Sequence, residues 1–267
     1  MATGRTVAKY TRIYAGDMGE PKWQHSLCGL TRSIGPLAVS FDEIDATGMC
    51  DAIKGYLPGQ ASITPGQINV IMDPAAPDTS GGATMYPPSE NSGTAAYTIG
   101  NPMILQIPIG IRAAPAAGDP TFAGVFPFLG MTYSDDGGLV TATFDLGSSA
   151  AAQYIPTYAN PWGQLLHAFG AETAANSGTG VDGVAATANG GIMFLQVFVS
   201  AGNTTFKVQH ADANLDGSFA DLTGASIAST GVGGYWATVA PGTAVKRYLR
   251  WQMTAVANTF VMSFIRG

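Results

Sequence analysis

Ile192-Met-Phe-Leu-Gln-Val-Phe-Val199 is the most apolar run of the chain, and its length decides how the rest is read. A membrane-spanning helix needs about 20 consecutive apolar residues. Eight residues broken by Gln196 make a β-strand instead. Working outward, short or alternating apolar runs bounded by Gly, Pro, Asn or Asp recur. They lie at Leu37–Phe41, Gln67–Met72, Met103–Ile109, Leu139–Phe144, Thr205–Gln209, Tyr248–Met253 and Thr259–Ile265. Ser134-Asp-Asp-Gly-Gly138 separates Phe128–Tyr133 from Leu139–Phe144 and predicts a hairpin, because Asp and Gly accept the positive φ of such turns. Val256-Ala-Asn258 is a weaker hairpin signal. Only Asp42–Tyr56 departs from this pattern: Met49, Ile53 and Tyr56 fall at i, i+4 and i+7, with Gly55 and Pro58-Gly59 as stops. That spacing predicts one helix near 44–56.

The expected class is therefore mainly β: a β-sandwich or barrel-like domain with one flanking helix, plus a second all-β unit. Residues 73–100 are rich in Pro, Ser, Gly and Thr and long enough for an interaction arm. Residues 171–191 carry almost no bulky side chain and read as a linker. The expected units are 1–170, holding the helix and the arm, and 192–267.

The chain has 267 residues, of which 12 are basic and 18 acidic, giving a net charge of -6. An average domain of this length would carry about 67 charged residues. For a folded monomer of about 11,000 Å², this leaves roughly one charge per 360 Å². Such a surface suits a subunit covered by its neighbours. The N-terminus has no apolar segment of a secretory signal, so a cytosolic origin is expected. Cys28 and Cys50 form neither a disulfide framework nor a zinc ribbon and read as reduced, packed thiols. Charge is uneven along the chain. Between Ala113 and Phe206 there is no Lys or Arg, against Asp119, Asp135, Asp136, Asp145, Glu172 and Asp182. A protein that grips phosphate shows the reverse, a basic stripe with interleaved aromatics, so sequence-specific nucleic-acid binding is not expected.

Catalytic constellations are hard to assemble from this sequence. His25, His167 and His210 lie in unrelated contexts, with no nucleophile elbow, phosphate loop or zinc-protease motif. His25 and Cys28 could give two metal ligands, where a transition-metal site wants three or four. Asp135-Asp136 sit on a hairpin, which explains both without acid–base chemistry. Asp212-Ala-Asn214-Leu-Asp216-Gly217 matches the start of a calcium loop, but position 12 is Thr223 and the flanks are strands, so an Asx-rich turn competes with a weak calcium site. No enzyme activity and no cofactor are expected.

Several phrases resemble a known family. Met1-Ala-Thr-Gly-Arg5, Thr31-Arg-Ser-Ile-Gly-Pro-Leu37 leading into Phe41-Asp-Glu43, and Asp51-Ala-Ile-Lys-Gly-Tyr-Leu-Pro58 are similar to the N-terminal half of tail tube (major tail) proteins of long-tailed bacteriophages. Phe206–Leu222 and Arg247-Tyr-Leu-Arg-Trp251 resemble a turn-and-strand pattern of phage virion proteins. The resemblance implies a β-sandwich with a flanking helix, assembled in sixfold or pseudo-sixfold rings (hexamers, or trimers of two similar domains). The rings stack around a lumen that passes DNA, and there is no active site. It implies as partners the chain itself, the tape measure, tail terminator and baseplate proteins, and DNA in transient, non-specific passage, with no membrane. Its place would be the virion tail, after synthesis in the host cytoplasm.

Carboxylates facing such a lumen would repel phosphates, which makes Asp119, Asp145, Glu172 and Asp182 the lumen-lining candidates. Asp135 and Asp136 belong to the same block but are spoken for by the hairpin. Two other readings share the composition: a capsid decoration or minor virion protein, and a carbohydrate-binding adhesion sandwich using Tyr235-Trp236 and the aromatics between Tyr154 and Trp162.

Overall fold

The structure is a computed structural model that describes residues 10–17, 24–26, 31–45, 56–71, 102–110, 113–136, 139–147, 149–150 and 160–267. Nineteen strands run through these residues and are numbered here in chain order. The largest sheet has the path β17 (Gly233–Val239), β14 (Gly191–Ser200), β19 (Asn258–Arg266), β11 (Trp162–Glu172), β8 (Pro120–Asp136), β7 (Pro102–Pro108), β1 (Tyr14–Asp17) and β2 (Gln24–Ser26). Every pairing in it is antiparallel. The sheet rolls over, so that β1 lies against β17 and β2 against β14. This is barrel-like closure, in which curling protects edges that an open sheet would expose.

β8 is 17 residues long and leaves the roll midway. Its second half pairs with β9 (Leu139–Leu146), which pairs with β6 (Ile68–Ile71), which pairs with β3 (Thr31–Ile34). A separate three-stranded sheet, β10 (Ser149–Ala150), β5 (Tyr56–Thr64) and β4 (Ala38–Asp45), contributes Ile63 to the same core. The last sheet has the order β12 (Asn176–Ser177), β18 (Tyr248–Met253), β15 (Thr204–Ala211), β16 (Ala220–Ser229), with β13 (Val181–Asp182) also on β18. Its strands alternate inward and outward, as in β18, where Leu249, Trp251 and Met253 are buried and the residues between them are not. That is the signature of a sheet with one wet face.

Two cores meet back to back on β14 and β19. Ile192 and Phe194 point into the roll, beside Ile104, Phe122 and Phe126, whereas Met193, Leu195 and Val197 point the other way, against Phe206, Val208 and Leu249. On β19, Ile265 faces the roll, and Phe260, Met262 and Phe264 face the second core. Ile192–Val197 is apolar without alternation because both faces of that part of β14 are buried. Each such side chain contributes about 1.5–3 kcal/mol by leaving water. Gln196 is polar for a local reason: Gln106 on β7 donates from Nε2 to its Oε1 at 3.0 Å and accepts from Ser263 Oγ at 2.6 Å, all three side chains being fully buried. This network crosses the inside of the roll and ties β7 to β14 and β19.

Some expectations change. Asp42–Asp45 lie in β4 and Tyr56 opens β5, with Asp45 opposite Tyr56 in an antiparallel ladder. The ends expected to be helical are thus strands that satisfy their backbone groups on each other, which the apolar spacing alone could not reveal. Met49 and Ile53 lie outside the described residues, as do the arm at 73–100, Cys28 and Cys50.

The expected linker 171–191 holds the end of β11 and two short strands pairing with β18, and it buries Val181. The largest sheet runs across the proposed division, since β14, β17 and β19 share it with β11, β8, β7, β1 and β2. Small residues there serve close packing: at Gly190 φ is +75°, and a Cβ would lie 2.3 Å from the Val239 carbonyl. Val256–Asn258 is no hairpin turn, because β18 and β19 belong to different sheets. The β8–β9 ladder extends to Asp136 opposite Leu139, so Ser134, Asp135 and Asp136 are strand residues.

Replacing Gln106 by Leu removes one buried hydrogen-bond partner from each of Gln196 and Ser263. It should lower stability by about 1–3 kcal/mol in urea unfolding with an unchanged m-value.

Candidate functional site

The charges of the C-terminal half are sorted by the register of its strands. Asp182 faces Tyr248 across β13–β18, Ala211 faces Tyr248 across β15–β18, and Arg266 faces Gly191 across β19–β14. These pairings bring Asp182, Asp212, Asp216, Lys246, Arg247, Arg250 and Arg266 to one end of the double layer. There they neutralise each other. Arg247 grips Asp182 with two parallel bonds, Nε to Oδ1 at 2.8 Å and Nη2 to Oδ2 at 2.6 Å. Lys246 meets Asp212 at 2.7 Å, and Arg250 pairs with Asp216 while lying over the Phe219 ring at 4.4 Å.

Arg266, more deeply buried, donates to the carbonyls of Val245, Lys246 and Arg247 and fits over Gly183, where a Cβ would collide with its guanidinium. The Asp182 carboxyl is lowered to about 2, first by the Arg247 hydrogen bond and then by the Val184 N–H. Arg247 is raised by the same partner. Burial lowers Arg266, with Asp182 opposing. His210 is lowered by burial and by Lys246.

Val184 follows Asp182 by two residues and has φ 70°, the left-handed region where β-branched side chains are strained. It is 81% exposed, so packing gives nothing back. The turn persists because its N–H reaches Asp182 Oδ1 at 2.8 Å, and Arg247 holds that carboxylate still.

At the middle of the seam between the layers sits His167. Its ring stacks on Phe260 at 3.9 Å and meets Trp251 edge-on at 4.6 Å. Nδ1 lies 3.2 Å from the Phe260 carbonyl and Nε2 3.2 Å from Glu172 Oε1, whose other oxygen accepts from Asn176 Nδ2 at 2.8 Å. Residues five apart on a regular strand point to opposite faces. Irregularities in the β11–β19 register after Leu165 and after His167 bring these two together. Burial lowers the imidazole's proton affinity, with Glu172 and the Phe260 carbonyl pulling the other way.

The wet face of the last sheet carries a connected polar network. Lys207 pairs with Asp221 at 2.6 Å, Gln209 donates to Asp221 Oδ1 at 2.8 Å, and Arg250 Nε donates to Gln209 Oε1 at 2.8 Å.

This geometry places the residues singled out by sequence. Of the four lumen candidates, Asp182 is neutralised by Arg247, and Glu172, partly exposed, is engaged by His167 and Asn176. The argument that this stretch lacks compensating cations therefore fails for Asp182, whose cation comes from 65 residues along the chain. Asp119 accepts from the Ala116 N–H at 2.9 Å within a turn, and Asp145 accepts from Gln67 Nε2 at 2.8 Å. The four do not form one cluster.

The calcium candidates sit in the β15–β16 connection: Asp212 holds Lys246, Asp216 holds Arg250, and Asn214 Nδ2 reaches the Gly180 carbonyl at 3.4 Å. The two carboxylates that calcium would use thus carry cations of the chain itself, and no group of three His, Cys, Asp or Glu suited to a metal occurs among the described residues. The sugar-stacking aromatics are engaged as well. Tyr235 donates to the Gly231 carbonyl at 3.1 Å, Trp236 packs on the first core, and Trp162 stands edge-on to Phe122. Tyr154 lies outside the described residues.

No protein-family model matches the chain, and no curated protein matches it. Among solved structures, it is similar to the Dit protein of SPP1, described as a paradigm of the hub adsorption apparatus in phages infecting Gram-positive bacteria. The TM-score is 0.28 and the identity 10%, over 95% of this chain and 99% of that one. No helix among the described residues is long and apolar enough to cross a membrane.

Two outcomes are expected in solution. The unfolded chain takes up protons at His167 from about pH 6.5 downward and at Asp182 near 3.8, while the folded chain resists both. Stability should therefore fall on acidification in two stages, the first below pH 6.5 and the second between about 4 and 2. Thermal unfolding across pH should show His167→Gln weakening the first, to which His210 also contributes, and Arg247→Gln weakening the second, to which Asp221 also contributes. Separately, Val184→Asn, which tolerates the left-handed backbone, should stabilise by about 1 kcal/mol, or roughly 2–4 °C in Tm.

Proposed function

We propose that the chain is a structural subunit of a phage virion, one that assembles with its own copies into stacked rings of a tail tube and performs no catalysis. The observation that carries this reading is the commitment of the cations between 160 and 267. All five basic residues between 160 and 267 bind acceptors of their own chain: Lys207, Lys246, Arg247 and Arg250 hold carboxylates, and Arg266 holds three carbonyls. A conduit for DNA must not retain it, and a surface whose cations are already occupied offers phosphates no array to bind. Among the described residues Asp119 and Asp145 carry no ion pair, and they keep the role of lumen-facing carboxylates in this reading.

The second support is the thinness of the surface charge. Thirty charged residues are spread over 12879 Å², about one per 430 Å². Solubility as a lone monomer favours denser charge. The resemblance of Thr31–Leu37 to tail tube proteins, and of Phe206–Leu222 and Arg247–Trp251 to a turn-and-strand pattern of phage virion proteins, points the same way.

Negative-stain electron microscopy of the purified chain is the test. Rings with sixfold or pseudo-sixfold symmetry that stack into tubes are expected. Isolated oligomers that never stack would favour capsid decoration, and a chain monomeric at all concentrations would overturn the reading.

A further inference from the structure

We infer that the end of the C-terminal double layer opposite the charged one is a contact surface for a second copy of this chain; the inference rests on the self-assembly proposed above. Register defines that end. Glu172 and Ser200 both lie opposite Asn258, Thr204 opposite Ser229, Asn176 opposite Met253, and Gly233 opposite Val197. Four chain connections are thereby gathered side by side: 173–175, 201–203, 230–232 and 254–257. None contains a charged residue. Glu172, at the end of β11, is held by His167 and Asn176, with 24% of its side chain left exposed.

Apolar side chains are presented where charge is absent. Phe169 is 43% exposed, Val199 58% and Val256 40%. Phe169 is also fixed in place: it stacks on Tyr14 at 5.5 Å, with rings 13° apart, and meets Phe198 edge-on at 5.0 Å. A fixed aromatic on β11, exposed aliphatics on β14 and in the 254–257 connection, and neutral polar groups such as Asn203 and Thr254 at the same end together have the make-up of an interface centre; Ala171 and Val199 share a row through Thr259. It differs from the opposite end, where the exposed Leu215 sits among paired ions.

Charge selects a second copy as the occupant. The chain carries a net charge of -6, so two copies repel wherever their carboxylates approach. An uncharged end lets identical subunits touch without that cost, and it offers a basic or acidic partner nothing to recognise. Burial of its exposed apolar groups is then the attraction.

The experiment compares the full-length wild type with Val199→Asp, Val256→Asp and Ala171→Glu, each at an exposed position, and with Leu215→Asp as the control at the charged end. Circular dichroism and thermal unfolding verify folding, and having three probes keeps the test intact if one variant misfolds. Sedimentation velocity and electron microscopy read assembly. The tip variants should raise the concentration needed for assembly about tenfold or more, because a carboxylate would be buried unpaired, while Leu215→Asp assembles as wild type does. Folded tip variants that assemble normally overturn this inference and leave the self-assembly reading standing. Equal loss in Leu215→Asp overturns it too. A wild type that never assembles removes the reading on which it rests.

Discussion

Two adjacent strands buried on both faces, β14 and β19, hold the described molecule together. Each divides its side chains between the inside of the rolled sheet and the layer beneath the last sheet, so the two cores share one backbone wall. A strand in that position cannot alternate polar with apolar residues. Where it does turn polar, as at Gln196 and Ser263, the groups must find partners within the protein, and Gln106 supplies them from across the roll. Leaving any of the three unsatisfied would cost more than the bonds contribute, which makes the network a specification of how the sheet closes.

The sorting of charge follows from the same wall. Since β14 and β19 are antiparallel and the last sheet lies over them, every chain reversal falls at one end or the other. Reversals at one end carry Asp182, Asp212, Asp216, Lys246 and Arg247, while those at the other carry small, hydroxyl and amide residues. Ions gathered at one end pair with each other, and the Val184 turn is held in a strained conformation by that pairing. Neutral reversals leave Phe169, Val199 and Val256 facing solvent. A subunit built in this way has one end that is electrostatically complete and one that is apolar.

His167 joins the two descriptions. It bridges β11 of the rolled sheet and Trp251 of the outer one, and it engages the carboxylate of Glu172 at the apolar end. Its burial makes the seam sensitive to acid because a neutral imidazole suits an aromatic sandwich and a charged one does not.

Local sequence determined the β class, the absence of any long apolar helical span, and the position of most central strands. Those depend on the period of apolar residues and on turn-forming Gly, Asn and Asp, which are properties of neighbours in the chain. It misread the two ends of Asp42–Tyr56, because a helical spacing of apolar residues carries no information on whether Asp42–Asp45 and Tyr56 pair as strands. It also misread 171–191, which pairs with β18 and whose glycines leave room for Trp251, Arg266 and the Val239 carbonyl. The pairing of Asp182 with Arg247, of His167 with Glu172, and of Gln106 with Gln196 and Ser263 was decided only by tertiary structure. Each depends on a register or a bulge that sets which distant or oddly spaced residues share a face, and no period in the sequence encodes that.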